Sequence, residues 1–173
     1  MGGLLLAGVI CASQALPVAA QSEAAQQEVS FTSAEGAEIG SATLTGTPYG
    51  LLIRLDLRDL RDLPPETWHG FHIHETGECD PADGFKSAGG HFSVSATNHG
   101  LLVEEGPHSG DMPNQYVAAD GTLKAEVLNT YAFLGGEADN VSGRALMLHS
   151  GPDDYQSQPS GDAGERIACA VID

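Results

Sequence analysis

The sequence predicts an all-β domain, and three observations carry that prediction. The 173 residues include 22 glycines and few aromatics. No long run of strong helix formers interrupts them. In LLIRLDLRDL, Ile53, Leu55 and Leu57 alternate with Arg54, Asp56 and Arg58, the period-2 pattern of a half-buried strand. Short alternating runs divided by glycine-rich turns suit an antiparallel sheet, and the length suits one domain with a real core.

The N-terminus differs in character. Residues 1–20, MGGLLLAGVICASQALPVAA, carry no charge, not even the Lys or Arg usual near the start of a leader. The apolar run from Leu4 to Cys11 is too short to span a bilayer. Val18-Ala19-Ala20 is a small-residue pattern suited to signal peptidase. Residues 1–20 therefore read as a signal peptide, 21–27 (QSEAAQQ) as a polar, flexible lead-in, and 28–173 as the folded domain. A leader implies a periplasmic or secreted protein. Its removal takes Cys11 and leaves Cys79 and Cys169, an even pair that reads as a disulfide in an oxidising compartment.

EVSFTS and IGSATLT read as two strands divided at Ala34–Glu38, where Gly36 marks a hairpin. LLIRLDLRDL follows, and Pro64-Pro65 breaks the chain before WHGFHIHE resumes it as extended structure. LKAEVLNT and ALMLHS read as later strands. Two stretches, about Thr76–Asn114 and Ser150–Glu165, read as long loops. Loops of that length in a compact domain are usually functional, and something must offset roughly 1–2 kcal/mol of backbone entropy per fixed residue.

The seven histidines supply a candidate. On a strand, residues i and i+2 project from one face roughly 6.5 Å apart, so His72 and His74 point together while Phe71 and Ile73 face the core. The loop SAGGHFSVSATNHGLLVEEGPHSGDMPN carries His91, His99, His108 and Asp111. Three imidazoles and a carboxylate make a closed tetrahedral set suited to structural Zn²⁺, whose binding would order the loop. His149 ends a strand-like run; with His72, His74 and one loop histidine it makes an all-imidazole set that favours Cu²⁺. His69, an odd number of residues before His72, faces away and reads as a hydrogen-bonding structural histidine.

GFHIHETGEC, SAGGHF, HSGDMPN and DDYQSQPSGDAGERIACAVI resemble the Cu/Zn superoxide dismutases, in particular the exported bacterial kind, over about residues 28–173. The resemblance implies an eight-stranded antiparallel Greek-key barrel or sandwich with two long functional loops. It implies one copper per subunit, on His72, His74, His91 and His149, and one zinc on His91, His99, His108 and Asp111, with His91 bridging. It makes Cys79–Cys169 the intrasubunit disulfide and Arg166 the guide for the anionic substrate. It makes Asp153 the carboxylate joining copper and zinc ligands, with Asp154 the neighbouring alternative. Ser93-Val94 and Ala170 stand where the family has Asn-Pro and Gly.

The implied reaction is disproportionation of superoxide. A net charge of -17 argues against nucleic acid or an anionic membrane surface as a partner. The oligomeric state stays open, a homodimer being one arrangement. The competing reading is a non-catalytic periplasmic copper/zinc-binding protein with the same ligands, which would have no use for Arg166. A secreted domain stabilised by zinc alone is a third.

Overall fold

The computed structural model describes residues 24–60, 63–136 and 139–173; the segment read as a signal peptide lies outside them. Eight strands form among the described residues: β1 (Gln26–Ser33), β2 (Glu38–Thr47), β3 (Gly50–Leu57), β4 (Thr67–His74), β5 (Asp111–Val117), β6 (Leu123–Asn129), β7 (Arg144–His149) and β8 (Arg166–Ile172). All pairings are antiparallel, in the order β5-β4-β7-β8-β1-β2-β3-β6. The edge strands β5 and β6 approach each other and nearly close a barrel. Neighbours distant in sequence, β3 beside β6 and β4 beside β7, make the crossings of a Greek key.

The alternation read in β3 is what the sheet uses. Ile53, Leu55 and Leu57 are buried and Arg54 and Asp56 exposed, the latter two paired across the sheet with Glu126 and Lys124 on β6. The inward faces of the strands meet in one core that includes Phe31, Leu44, Phe71, Ile73 and Leu146, all fully buried. Burial of each such side chain contributes roughly 1.5–3 kcal/mol. At the first hairpin Gly36 takes φ 80°, and the turn closes through Ser33 N–H to Ala37 O.

Two sequence expectations shift. Gln26 and Gln27 of the lead-in already pair with Thr45 and Leu44, because a polar edge residue can join a ladder without an apolar side chain. The long loop ends at Gly110 rather than Asn114, since β5 begins at Asp111. Pro113, Asn114 and Gln115 masked that strand, yet Met112, Gln115 and Val117 are buried. Within the loop, two short 3-10 turns, Pro81–Asp83 and Lys86–Ala88, lie between β4 and His91.

A smaller apolar cluster of Phe85, Ala88, Ala145, Met147 and Cys169 packs beside the main core, with Cys79 against it. Here the predicted disulfide is formed: Cys79 and Cys169 are bonded with Cα atoms 5.6 Å apart. It fastens the loop after β4 to the middle of β8.

Candidate metal centre

Sheet register gathers the site. His72 and His74 leave one face of β4. On one side β4 pairs with β5, setting His72 opposite Asp111. On the other it pairs with β7, which ends at His149. β7 pairs with β8 so that His149 stands opposite Arg166. The loop returns as a single bridge between His74 and His91. Thus β4, β5, β7, β8 and one loop bring together residues up to 94 positions apart in sequence (166 − 72).

Two groups of ligand atoms result, each within 4.8 Å of one another: His72, His74, His91 and His149; and His72, His91, His99 and Asp111. His108, expected in the second group in place of His72, is close by, its Nδ1 3.5 Å from Asp111 Oδ1. His91 Nδ1 and His99 Nδ1 lie 2.8 Å and 3.1 Å from that same oxygen. A tetrahedron with ~2.0 Å arms has edges of about 3.3 Å, so each of the three imidazole nitrogens stands at zinc-like spacing from the carboxylate oxygen. Oδ2 of Asp111 is committed elsewhere, accepting from the backbone N–H groups of Gly100 and His108, both at 2.9 Å.

His72 Nδ1 and His91 Nε2 are buried with no partner, and His99 Nδ1 and His108 Nδ1, lacking a well-aligned hydrogen bond, have only the Asp111 Oδ1 that His91 already engages. An unpaired buried polar atom costs about 1–3 kcal/mol, and such nitrogens converging in one place mark a polar environment built for a further occupant. A cation on each group meets that need: nitrogen alone on the His72, His74, His149 side, and nitrogen with one carboxylate on the Asp111 side. His91 faces both, Nδ1 towards Asp111 and Nε2 unpaired.

The far sides of these rings are anchored. His72 Nε2 lies 2.8 Å from Asp153 Oδ2, and His99 Nε2 lies 3.0 Å from Asp153 Oδ1, so one buried carboxylate spans both groups. Asp154 is exposed and caps Gln156 and Ser157 instead. His74 Nδ1 is fixed by Gly89 O at 3.0 Å. Such partners set the tautomer and the direction of the free nitrogen.

Electrostatics of the metal-free protein follow from burial. Burial, with His72 and His99 as neighbours, outweighs Asp111 and holds His91 down to about 4. Burial also lowers His72, His74 and His149, leaving neutral rings with lone pairs to offer. His99 is the exception: burial opposes its proton, but the Asp111 and Asp153 carboxylates raise it to about 9. Asp111 and Asp153 sit well below the usual carboxylate range, because their histidine hydrogen bonds outweigh the burial that would raise them.

An open pocket of about 460 Å³ reaches this centre, lined by His74, His91, His149 and Arg166 together with Pro159 and Ser160. Arg166 is held rigidly: Nη1 donates to Phe85 O and Nη2 to Gly89 O, both at 2.6 Å. Its guanidinium is thereby a fixed cation at the mouth of an imidazole cluster.

His69 is the hydrogen-bonding structural histidine expected of it: it is buried beside a register shift, outside both ligand groups, with Nδ1 2.9 Å from His149 O and Nε2 2.8 Å from Thr67 Oγ1. Two amides escaped the sequence reading. Asn114 exchanges two 2.8 Å hydrogen bonds with the Asp153 backbone. Gln158 does the same for His99, at 2.9 and 2.8 Å. Gln158 clasps the two long loops together and Asn114 ties the second to β5, and no local pattern announces a partner 39 or 59 residues away. Where Ser93-Val94 departs from Asn-Pro, Ser93 Oγ donates to Ser95 O, and Ser109 Oγ accepts from Val94 N–H, so the turn is still closed.

Residues 38–172 match the family model of copper/zinc superoxide dismutase. A "Superoxide dismutase [Cu-Zn] 2" of Aquifex aeolicus is 46% identical over 171 residues, covering 96% of this chain and 98% of that protein. A "Superoxide dismutase [Cu-Zn]" of Escherichia coli is 38% identical over 170 residues, covering 91% and 94%. Among solved structures, Cu/Zn superoxide dismutase from Brucella abortus is 30% identical with TM-score 0.71, covering 86% of this chain and all of that one. A double mutant of a SOD-like protein from Bacillus subtilis is 35% identical with TM-score 0.79, covering 84% and 95%.

Proposed function

The chain belongs to the copper/zinc superoxide dismutase family, and on that premise we propose how its residues divide the disproportionation of superoxide into dioxygen and hydrogen peroxide. His72, His74, His91 and His149 hold copper; His91, His99, His108 and Asp111 hold zinc. When bound, copper supplies the one-electron couple that takes an electron from one superoxide and returns one to the next, while zinc orders the loop and draws on His91.

His91 is the hinge of the scheme. Both its ring nitrogens face ligand groups, and its neutral form prevails in this buried setting. His91 would be a ligand to both cations, and its Nε2, which has no protein partner, is a base that can hold a proton for reduced substrate in the pocket. Arg166 draws the anion into that pocket and orients it, its guanidinium fixed by two carbonyls. The overall charge of -17 does not prevent this, because distant carboxylates are screened beyond ~8 Å at physiological salt. Asp153 keeps His72 and His99 aligned so that the two sites form as one unit.

The convergence of buried ring nitrogens on two ligand groups that share His91, with His72 Nδ1 and His91 Nε2 wholly unpartnered, is the observation that supports this reading most strongly. The Cys79–Cys169 bond and the uncharged N-terminal run support export, with 1–20 as leader, to the periplasm or outside the cell. The test combines elemental analysis with pulse radiolysis of protein loaded with copper and zinc. One of each metal per chain and rapid superoxide decay are expected. Arg166→Ala should keep both metals and lower kcat/KM at least tenfold at low salt. Full metal loading without turnover would select the non-catalytic metal-binding reading.

A further inference from the structure

The geometry points to Asp83 as a positioning residue for Arg166, acting through the short turn that holds the guanidinium. This rests on the reading of Arg166 as the substrate guide. Both carbonyls that grip Arg166 belong to one five-residue turn, Phe85 O at its start and Gly89 O at its end. Gly89 O also fixes His74 Nδ1. His74 is held as well by its place in the β4–β7 ladder, whereas the placement of that turn sets the cation.

Asp83 fastens the turn at its front. Its Oδ1 accepts from Lys86 N–H at 2.8 Å and its Oδ2 from Ser87 N–H at 2.9 Å. Only a carboxylate offers an oxygen to each of two successive N–H groups; an asparagine has one acceptor and sets an NH₂ against the other donor. Phe85, between Asp83 and those donors, adopts φ 59°, a left-handed conformation that a non-glycine residue keeps only where its surroundings enforce it. Burial of its ring against Ala88 and Met147 enforces one half. The Asp83 clamp enforces the other. Asp83 and Arg166 also line one open groove next to the metal pocket; burial lowers the Arg166 pKa from its usual value, and the Asp83 charge opposes that shift.

The chemistry predicts a specific signature. Asp83→Ala removes the clamp, the turn relaxes, and Arg166 loses its fixed position without leaving the protein. In the copper- and zinc-loaded enzyme kcat/KM should fall severalfold, short of the ~10²-fold that a 1 Å misplacement can cost. Metal content should be unchanged. Asp83→Asn, keeping one acceptor, should fall between parent and Asp83→Ala. In an Arg166→Ala background the Asp83→Ala change should have no further effect on kcat/KM, because it acts through the guanidinium.

An equal fall in both backgrounds would mean general loosening of the loop and would overturn the inference. A rise in both would mean that Asp83 is only a negative charge repelling superoxide, and would overturn it too. No change in the parent background does the same. If Arg166→Ala by itself leaves the rate intact, the substrate-guide reading fails and this inference falls with it. If Arg166→Ala is slow and Asp83→Ala is not, the inference alone fails.

Discussion

Breaking the Cys79–Cys169 bond should lower stability by an amount that loop length sets. The bond closes a loop with a sequence separation of 90. Chain-entropy reasoning, ΔS ≈ −2.1 − 1.5R ln n, gives about 4.6 kcal/mol at 25 °C for n of about 90. At about 2–4 °C of Tm per kcal/mol for a domain this size, the shift is roughly 10–18 °C. The comparison is calorimetry of oxidised protein against protein reduced and refolded in a thiol-free reductant. Both samples carry excess EDTA, so that metal-linked stability does not enter. Reduction leaves two small thiols in an apolar cluster of Phe85, Ala145 and Met147, so little new desolvation is added. A Tm difference below about 3 °C would refute the reasoning, because it would mean that the loop between β4 and β8 is already closed in the reduced, unfolded chain.

Three further outcomes follow from the site. Asp153→Ala strips the shared partner from His72 Nε2 and His99 Nε2; metal affinity measured by chelator competition should fall about 10–100-fold, and unchanged affinity would remove Asp153 from its bridging role. Acid should destabilise the metal-free protein. The unfolded His91 titrates near 6.5 and the folded one at about 4, so between those values the unfolded state binds more protons and stability drops as pH falls. With a side chain 3% exposed, His91 alone contributes roughly 3 kcal/mol over that window. His72, His74 and His149 act in the same direction. His99, held at about 9, stabilises fully below 6.5 and loses its contribution only as pH rises towards 9. Urea melts in EDTA at pH 7 and pH 5 check this, and equal midpoints would contradict it. Gly161→Ala should dislodge the loop after β7: a Cβ there would lie 1.8 Å from Asp153 Oδ1 and 2.6 Å from His99 Nε2, at φ 71°. Reduced zinc content and a lower Tm are expected, and wild-type values for both would show that the loop simply moves aside.

The β-class, the half-buried β3, the hairpin at Gly36 and the HxH face of β4 were legible in the sequence, because each depends on a period of two or on one turn residue. The metal-binding residue types were legible for a related reason: imidazole and carboxylate chemistry travels with the residue, and seven histidines in an acidic chain concentrate it. Strand β5 was not legible, since Pro113 and two amides hide its alternation. His69 was legible as a hydrogen-bonding structural histidine, though its partner His149 O, 80 residues away, was not.

Convergence belongs to the tertiary structure alone. Which nitrogen of each ring is free, that Asp153 rather than Asp154 spans the histidines, that Gln158 and Asn114 hold the second long loop to the first and to β5, and that Arg166 is gripped by Phe85 O and Gly89 O all depend on antiparallel register between distant strands. Local sequence carries propensity and chemistry over a few residues. A hydrogen bond between residues 59 or 81 apart exists only after the barrel has set both ends within 3 Å, and no window of sequence contains it.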